Sequence, residues 1–357
     1  MKSHIRALIT FSVTISFLSV FITNQSLAQN STATFLYWQP SARSYAMGGI
    51  GSALSNDIYS AYYNPAGLAF SKKITLTGSF VKPFPFFGNI ANSFFGISLK
   101  IDNSNTLGIS SNLFWMGKQI RTSEAGPKPI GIEDTPFHWH IKLSYSYLIL
   151  NHFSAGISAG ILQVNLSDRP VGEEQNTANT TTILVDLGIL AKDLLPESTY
   201  ELDNSTTKYA PFFDWLLEIG EDYISRGFSV GMSISNLGPD ISYIDKEQSD
   251  SPPSKLLLGF TYNIFNSNPL GILIGADFEK RLNESNTLDY LHMGGEIKLF
   301  KVLNVRLGYF LNTIENGYSY LTYGGGISLK FLSLNVARYN RSLQSTWHFD
   351  SVISLEF

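Results

Sequence analysis

The sequence predicts an all-β protein: a transmembrane antiparallel β-barrel of about 14 strands, with an N-terminal hatch plugging the lumen. Three observations indicate this fold. Segments after residue 73 alternate apolar and polar residues, an N-terminal leader directs export, and the last strand is two-faced and ends on the aromatic residue Phe357. Side chains of a strand point alternately to its two faces, so each such segment separates an apolar surface from a polar one.

The N-terminus has the layout of a secretory signal peptide. Lys2 and Arg6 precede an apolar stretch at residues 7–22, and Ser26-Leu-Ala28 is a small-x-small cleavage site. The apolar stretch is shorter than the roughly 20 residues that a membrane-spanning helix needs. We therefore expect residues 1–28 to be a signal peptide.

Composition limits the classes of partner and chemistry. Cysteine is absent, so the chain has neither a disulfide framework nor a thiolate ligand or nucleophile. The net charge of −4 and the charged fraction of 15% argue against a nucleic-acid partner. A low charge together with 13% aromatic residues favours a sheet whose outer face meets outer-membrane lipid between aromatic girdles. A soluble β-sandwich, the alternative, would carry more Lys and Glu on its outward face.

The alternating segments predict the barrel, residues 74–357, strand by strand. An even number of strands is what bacterial single-chain barrels require. The predicted strands are 74–81, 94–102, 106–115, 137–147, 153–165, 181–191, 227–236, 255–265, 271–280, 288–299, 304–312, 319–330, 332–340 and 346–357.

Connection lengths predict the orientation of the barrel. Connections after even-numbered strands are short, as at 103–105 and 301–303, whereas those after odd-numbered strands are longer, as at 82–92, 116–136 and 166–180. Outer-membrane barrels have short periplasmic turns and longer external loops. Both chain ends are therefore predicted to be periplasmic.

One predicted periplasmic connection, 192–226, is long. Its apolar residues follow a helical period and indicate a short amphipathic helix, formed by Phe212, Trp215, Leu216, Ile219 and Tyr223. The helix either lies at the inner leaflet or under the barrel, or it docks a periplasmic partner.

Residues 29–73 lack the strand pattern and predict the hatch. Small residues allow close backbone approach, and Gly48 and Gly49 permit unusual dihedral angles. Asn64-Pro-Ala-Gly67 is turn chemistry leading into a short helix or the first strand. The predicted hatch residues are Tyr45, Met47, Gly48, Gly49, Tyr62, Tyr63, Asn64, Pro65, Ala66 and Gly67.

The same residues carry a resemblance to a known family. Ala46-Met-Gly-Gly49, Asn56-Asp57 and Tyr62-Tyr-Asn-Pro-Ala-Gly-Leu-Ala69 resemble the N-terminal hatch of FadL-like outer-membrane barrels. Asn236-Leu-Gly238 is similar to a signature of the PorV/PorQ branch, the outer-membrane proteins of the type IX secretion system. The resemblance extends over about 43–357.

The resemblance implies a protein of the outer membrane that is not an enzyme and has no cofactor. A PorV-like barrel would bind or shuttle exported proteins bearing a C-terminal secretion domain, together with other secretion components, at the cell surface. The alternative implied by FadL-like relatives is transport of hydrophobic small molecules past the hatch, along a ligand path formed by the hatch residues, chiefly Tyr45, Met47, Tyr62, Tyr63 and the turn at 64–67. An aromatic C-terminus such as Phe357 resembles the signal read by the barrel-assembly machinery.

Two pairs of residues that contain histidine are the candidates for other chemistry. His138 and His140 share one strand face and could begin a metal site; Glu133 and Asp134 precede the pair, but no third ligand is identifiable nearby in the sequence. His348 and Asp350 share the polar face of the last strand, where a serine could complete a nucleophilic constellation. Because histidine suits the membrane interface and serine is abundant on these faces, we predict neither a metal site nor a catalytic site. The charged residues of the polar faces are instead predicted to form paired networks that hold the hatch.

Overall fold

The computed structural model describes residues 33–54, 56–86, 89–123, 126–170, 177–194, 227–242, 249–266, 270–282, 289–313, 318–339 and 345–356. The predicted signal peptide, the predicted periplasmic helix and Phe357 lie outside the described residues.

Strands dominate the described chain. They are β1 (Ile74–Val81), β2 (Ala91–Lys100), β3 (Asn105–Trp115), β4 (Gln119–Ser123), β5 (Gly126–Asp134), β6 (Phe137–Leu150), β7 (Phe153–Pro170), β8 (Thr177–Ala191), β9 (Gly227–Leu237), β10 (Ile241–Ser242), β11 (Ser249–Asp250), β12 (Lys255–Asn266), β13 (Leu270–Arg281), β14 (Asp289–Leu299), β15 (Leu303–Asn312), β16 (Tyr320–Ser328), β17 (Leu332–Tyr339) and β18 (Thr346–Leu355). Fourteen of them form a closed antiparallel barrel, in which β1 pairs with β18. The predicted fold and strand number are confirmed.

The two faces of the barrel differ as the alternation predicts. Ile109 is 53% exposed on the outer face, whereas its neighbour Ser110 is 2% exposed on the inner face. Aromatic side chains are exposed towards both ends of the outer face, among them Trp115 and Trp347 at one end and Tyr147 at the other. The outer face therefore suits hydrocarbon flanked by two interfaces. Within the described chain, no helix is both long and apolar enough to cross a bilayer.

The two ends of the barrel differ in their connections. Short turns at one end join β2 to β3, β6 to β7, β12 to β13, β14 to β15 and β16 to β17. The connections at the other end are longer, and two of them contain the small hairpins β4–β5 and β10–β11, which the sequence did not predict. One side of the barrel carries the short turns, the start of β1 and the end of β18, and we call it the inner end. We call the opposite side the outer end.

The predicted external loop at 166–180 was wrong. β7 and β8 continue across most of it and pair as far as Pro170 and Thr177. The run Thr180-Thr-Thr182 is rich in β-branched residues, which favour strands. The hairpin therefore extends beyond the neighbouring strand β6, which starts at Phe137 opposite Asn165.

Residues 33–73, called the hatch segment below, lie inside the ring of strands. The segment contains two short α-helices, Ala42–Ala46 and Ser60–Tyr63, and two 3-10 helices, Thr34–Tyr37 and Pro65–Phe70. The first α-helix packs on β15 to β18, and the helix Pro65–Phe70 packs on β3 and β6 to β8. The segment thus contacts opposite sides of the barrel wall.

Candidate functional site

The backbone of the hatch segment packs directly against three strands of the barrel wall, β14, β15 and β16. Gly48 has φ 74° and Gly49 φ 98°, conformations that favour glycine. The backbone of Met47 and Gly48 lies against Gly294 and Gly308, where a Cβ would collide with hatch atoms. Gly48 N donates to Thr322 Oγ1 at 2.9 Å, and its carbonyl lies 2.7 Å from His292 Nδ1. Glycine in the wall therefore lets the two backbones approach.

The predicted path residues Tyr62 and Tyr63 are both buried. Tyr62 donates its hydroxyl to Leu36 O at 2.9 Å, and the ammonium of Lys255 lies 4.4 Å from the centre of its ring. Tyr63 packs edge-on against Tyr62 and covers Gly51. These tyrosines fill the middle of the lumen, whereas the predicted path residue Tyr45 lies nearer the outer end, against Tyr339.

The turn Asn64–Gly67 leads into a short helix, which is one of the two outcomes that the sequence left open. Asn64 Oδ1 accepts from Ala66 N at 3.1 Å, and Pro65 begins the 3-10 helix. Asn64 Nδ2 donates to Ser52 O at 2.8 Å and to Ile189 O at 2.9 Å, so one side chain joins both parts of the hatch segment to β8.

Buried carboxylates of the wall hold the first half of the hatch segment. Asp277 accepts from the backbone N–H groups of Gly51 and Ser52 at 2.8 and 2.7 Å. Asp350 accepts from Ala42 N at 2.6 Å. Glu296 accepts from Arg43 through two bonds of 2.9 and 2.8 Å and from Arg306 Nε at 2.6 Å. The predicted paired charge networks are thus present, and they join the wall to the hatch segment.

The predicted signature Asn236-Leu-Gly238 lies at the outer end of β9, where pairing with β8 shifts register. Asn236 has φ 60°, which asparagine tolerates better than most residues. Its N–H donates to Asp186 at 2.6 Å, and Asp186 also accepts from Lys142 at 2.8 Å. Lys142 in turn donates to Ala61 O at 2.7 Å. The signature is thus linked to the hatch segment through a buried ion pair.

A cavity of about 420 Å³ opens at the outer end above the hatch segment. We call it the outer cup. Half of the residues that line it are aromatic: Tyr37, Trp38, Tyr45, Phe84, Tyr290, Phe310, Tyr318, Tyr320 and Tyr339. Ring contacts of 4.7 to 5.2 Å run from Tyr290 through Phe310 and Tyr320 to Tyr339 across four strands. A cavity of this size and lining suits a small molecule or a few residues of a peptide.

The charged groups of the outer cup form one cluster. The guanidinium of Arg281 lies 3.8 Å from the ring centre of Tyr37 and 4.5 Å from that of Tyr290. Arg281 Nε donates to Glu279 at 3.3 Å, and Lys255 Nζ lies 3.9 Å from the same carboxylate. Glu279 thus contacts both cations, and aromatic rings hold the arginine in place.

Two further cavities lie on the inner side of the hatch segment, with volumes of about 240 and 130 Å³. They are lined by polar and charged groups such as Arg43, Lys192 and Lys298. Neither shares a lining residue with the outer cup. The fully buried side chain of Met47 and the nearly buried ring of Tyr63 belong to the layer between the outer and inner spaces.

His138, His348 and Asp350 all pack against or bond with neighbouring groups. His138 Nδ1 accepts from Asn165 N at 3.2 Å, and its ring packs on Phe35 and Phe114. His348 Nε2 lies 2.9 Å from Pro40 O, so His348 and Asp350 both hold the hatch segment. No group of three or more potential ligands suited to a metal ion occurs in the part of the chain that the structure describes.

Sequence reasoning missed the outer cup, although a signal was available. Tyr290, Phe310, Tyr320 and Tyr339 are aromatic residues on strand faces that are otherwise polar. Each is at the outer end of its strand, and together they mark one level of the lumen.

The comparisons with known proteins agree with this architecture. The family model described as type IX secretion system protein PorV matches residues 22–194. Among solved structures, the CymD monoaromatic hydrocarbon channel aligns with a TM-score of 0.57 at 11% identity, covering 89% of this chain and 98% of that one. The toluene transporter TodX of Pseudomonas putida aligns with a TM-score of 0.52 at 12% identity, covering 88% and 98%. No curated protein matches the sequence significantly.

Proposed function

We propose that this chain, a FadL-like outer-membrane barrel of the PorV branch, binds exported proteins at the cell surface as a component of type IX protein secretion. The family match is the observation that carries the proposal. The outer cup supports it, because a recess at the outer end is accessible to a protein on the cell surface. The buried hatch segment supports it too, because binding at this surface needs no passage through the lumen.

In this role the barrel would act as a receptor, with no bond made or broken. The aromatic walls supply apolar contact area at a low cost in side-chain entropy, a composition common in binding sites for peptides and proteins. The hairpins β4–β5 and β7–β8 would add backbone hydrogen-bonding groups around the cup.

The test is affinity purification of the native chain from outer membranes, followed by identification of the bound proteins. We expect proteins that share a C-terminal domain, together with other secretion components. Recovery of the barrel with lipid or small hydrophobic molecules, and without any exported protein, would refute the proposal.

The second candidate is transport of hydrophobic small molecules. It is favoured by the aromatic lining of the outer cup and by the similarity of fold to proteins named as a hydrocarbon channel and a toluene transporter. In that role a ligand would pass Tyr45, Met47, Tyr62, Tyr63 and the Asn64–Gly67 turn, which would have to move because Met47 and Tyr62 are buried. Growth on long-chain hydrophobic substrates that is lost on deletion of the gene would support transport.

The connection 192–226 is the proposed periplasmic docking element. Its two ends are held together, because Leu194 N donates to Phe228 O at 2.8 Å and Asp193 N to Ser229 Oγ at 3.2 Å. A deletion of 195–224 can therefore be closed by a short glycine linker. We expect a normally assembled barrel that loses a periplasmic partner; unchanged partners and activity would refute docking.

A further inference from the structure

We infer that the outer end of the barrel binds the phosphorylated headgroup of an outer-leaflet glycolipid, through Lys82 and Arg338 on either side of Trp347. These three residues are called the interface row below. The inference goes beyond the proposed function and does not depend on it, because it concerns the lipid around the barrel rather than an exported protein.

Trp347 and Arg338 face outwards from two neighbouring strands. Trp347 of β18 is directly opposite Arg338 of β17, and its side chain is 48% exposed. The residues that flank the two along their strands are buried in the lumen: Ala337, Tyr339, Thr346 and His348. Because side chains of a strand alternate between its two faces, Trp347 and Arg338 belong to the outer face.

Lys82 extends the interface row onto β1. Val81, the last residue of β1, and Pro83 both line the outer cup and therefore point inwards. The residue before a proline is held extended, so the alternation continues and Lys82 points outwards, where it is exposed. Its carbonyl accepts a hydrogen bond from Thr346 Oγ1, which places Lys82 beside Trp347.

The interface row lies at the outer edge of the apolar surface. The next outward-facing residues towards the inner end include Phe80 and Phe349, which are directly opposite each other and 44% and 53% exposed. The row itself is at the outer ends of β1, β17 and β18, and tryptophan is enriched where lipid meets water. The two cations are therefore at the level of the lipid headgroups, with acyl chains directly below them.

The cations of the interface row are available to an anion. None of the ion pairs in the described part of the chain involves Lys82 or Arg338. The guanidinium of Arg338 lies 5.0 Å from the ring centre of Trp347, which holds it at the surface of the barrel. A guanidinium can donate two parallel hydrogen bonds to a phosphate, and lysine binds phosphate as a point charge.

The spacing of the two cations suits one headgroup. β18 lies between β1 and β17, so Lys82 and Arg338 are two strands apart, or roughly 10 Å at the backbone. Both side chains are long enough to converge on a headgroup placed over Trp347. The outer leaflet of an outer membrane consists of glycolipid with phosphate groups on its sugar headgroup. Basic residues at a membrane surface attract such anionic lipids, and Phe80 and Phe349 offer apolar surface to the acyl chains of the same molecule.

The test titrates the mature, full-length chain in a neutral detergent with two probes: diphosphoryl lipid A, and the same lipid after removal of both phosphates. Native mass spectrometry gives the dissociation constant of each. We expect the phosphorylated lipid to bind about tenfold or more tightly, as charge-assisted hydrogen bonds predict. Because the probes have the same sugar and acyl chains, the ratio of their affinities reports the phosphate contacts. Equal affinities for the wild-type chain would overturn the inference.

Substitutions in the interface row locate the site. Lys82→Gln and Arg338→Gln should each lower the ratio, and the double variant should abolish it. The matched control is Lys280→Gln: Lys280 is on the outer face near the outer end of β13, because the residues on both sides of it line the outer cup, and it is opposite Asp289. The control should keep the wild-type ratio. A double variant that keeps the preference for phosphate, or a control that loses as much of it, would overturn the inference; heat-modifiable migration checks that each variant folds.

Inorganic phosphate separates a lipid site from a site for free phosphate. It lacks the acyl chains that would pack on Phe80 and Phe349, so at the concentration of the lipid it should not displace diphosphoryl lipid A. Displacement at that concentration would overturn the assignment to a lipid.

Discussion

The two halves of the hatch segment are held by opposite kinds of hydrogen bond. In the first half, residues 41–52, backbone N–H groups donate to buried carboxylates of the wall, chiefly Asp277 and Asp350. In the second half, residues 59–70, backbone carbonyls accept from wall side chains: Ser146 and Ser154 donate to Ala66 O. The first half is thus held by carboxylates, and the second by serine hydroxyls together with the ammonium of Lys142, which donates to Ala61 O.

This difference predicts where the loss of a single side chain should lower the stability of the barrel. A carboxylate that satisfies several buried donors has no substitute nearby, so its removal leaves a buried cation or N–H group unpaired. Two hydroxyls on one carbonyl, in contrast, can replace each other. We therefore expect the first half to be sensitive to single substitutions of its carboxylates, and the second half to tolerate single substitutions of the hydroxyls that share a carbonyl.

The largest effect is expected for Glu296→Leu. The side chain of Glu296 is completely buried between Arg43 and Arg306, and its loss leaves two guanidinium groups without their carboxylate. Removing one partner of a buried ion pair costs about 3–5 kcal/mol of the free energy of unfolding. Urea unfolding of the refolded barrel in detergent, followed by tryptophan fluorescence, measures it.

The control for this prediction is Glu356→Leu. Glu356 pairs with Lys72 at 3.1 Å, but its side chain is 70% exposed. Exposed ion pairs contribute about 0–1 kcal/mol, so this variant should unfold almost like the wild type. If Glu296→Leu and Glu356→Leu were equally stable, the buried carboxylates would not be what holds the first half of the hatch segment.

An intermediate effect is expected for Asp277→Asn. The N–H groups of Gly51 and Ser52 both donate to Oδ2, so an amide oxygen in that position still accepts from both but lacks the charge that strengthens the two bonds. Hydrogen bonds to charged groups contribute about 1.5–3 kcal/mol, and we expect a loss within that range. Hydrogen exchange of the peptide spanning residues 47–54 should become faster, while exchange in β3 should not change. Unaltered exchange at Gly51 and Ser52 would show that Asp277 does not hold this half.

The sequence predicted the strands of the barrel far better than the side-chain contacts inside the barrel. A period of two is a local signal, so all fourteen barrel strands were predictable from short windows. The pairing of Lys142 with Asp186 joins residues 44 positions apart and depends on barrel register, which no local window contains. The sequence predicted that lumen charges pair but could not assign the pairs.

The outer cup shows the same limit. Its residues come from the hatch segment, from β1 and the connection that follows it, and from β13 to β18. Only closure of the barrel brings these parts of the chain together. In the sequence, Arg281 simply follows the predicted strand 271–280. Its contacts with the rings of Tyr37 and Tyr290 depend on the tertiary structure, so the sequence does not reveal them. The hatch motif, by contrast, was recognisable because its glycines and the Asn64-Pro-Ala-Gly67 turn are contiguous.

The smallest effects are expected in the second half, for Ser146→Ala and Ser154→Ala. Ser146 Oγ and Ser154 Oγ lie 3.0 and 2.8 Å from Ala66 O, so either hydroxyl alone still satisfies that carbonyl. Each single variant should lose less than about 1 kcal/mol, whereas the double variant leaves a buried acceptor unpaired and should lose about 1–3 kcal/mol. A double-mutant cycle on the free energy of unfolding measures the difference. Strictly additive losses would mean that the hydroxyls do not share Ala66 O, and the contrast between the two halves would then rest on charge alone.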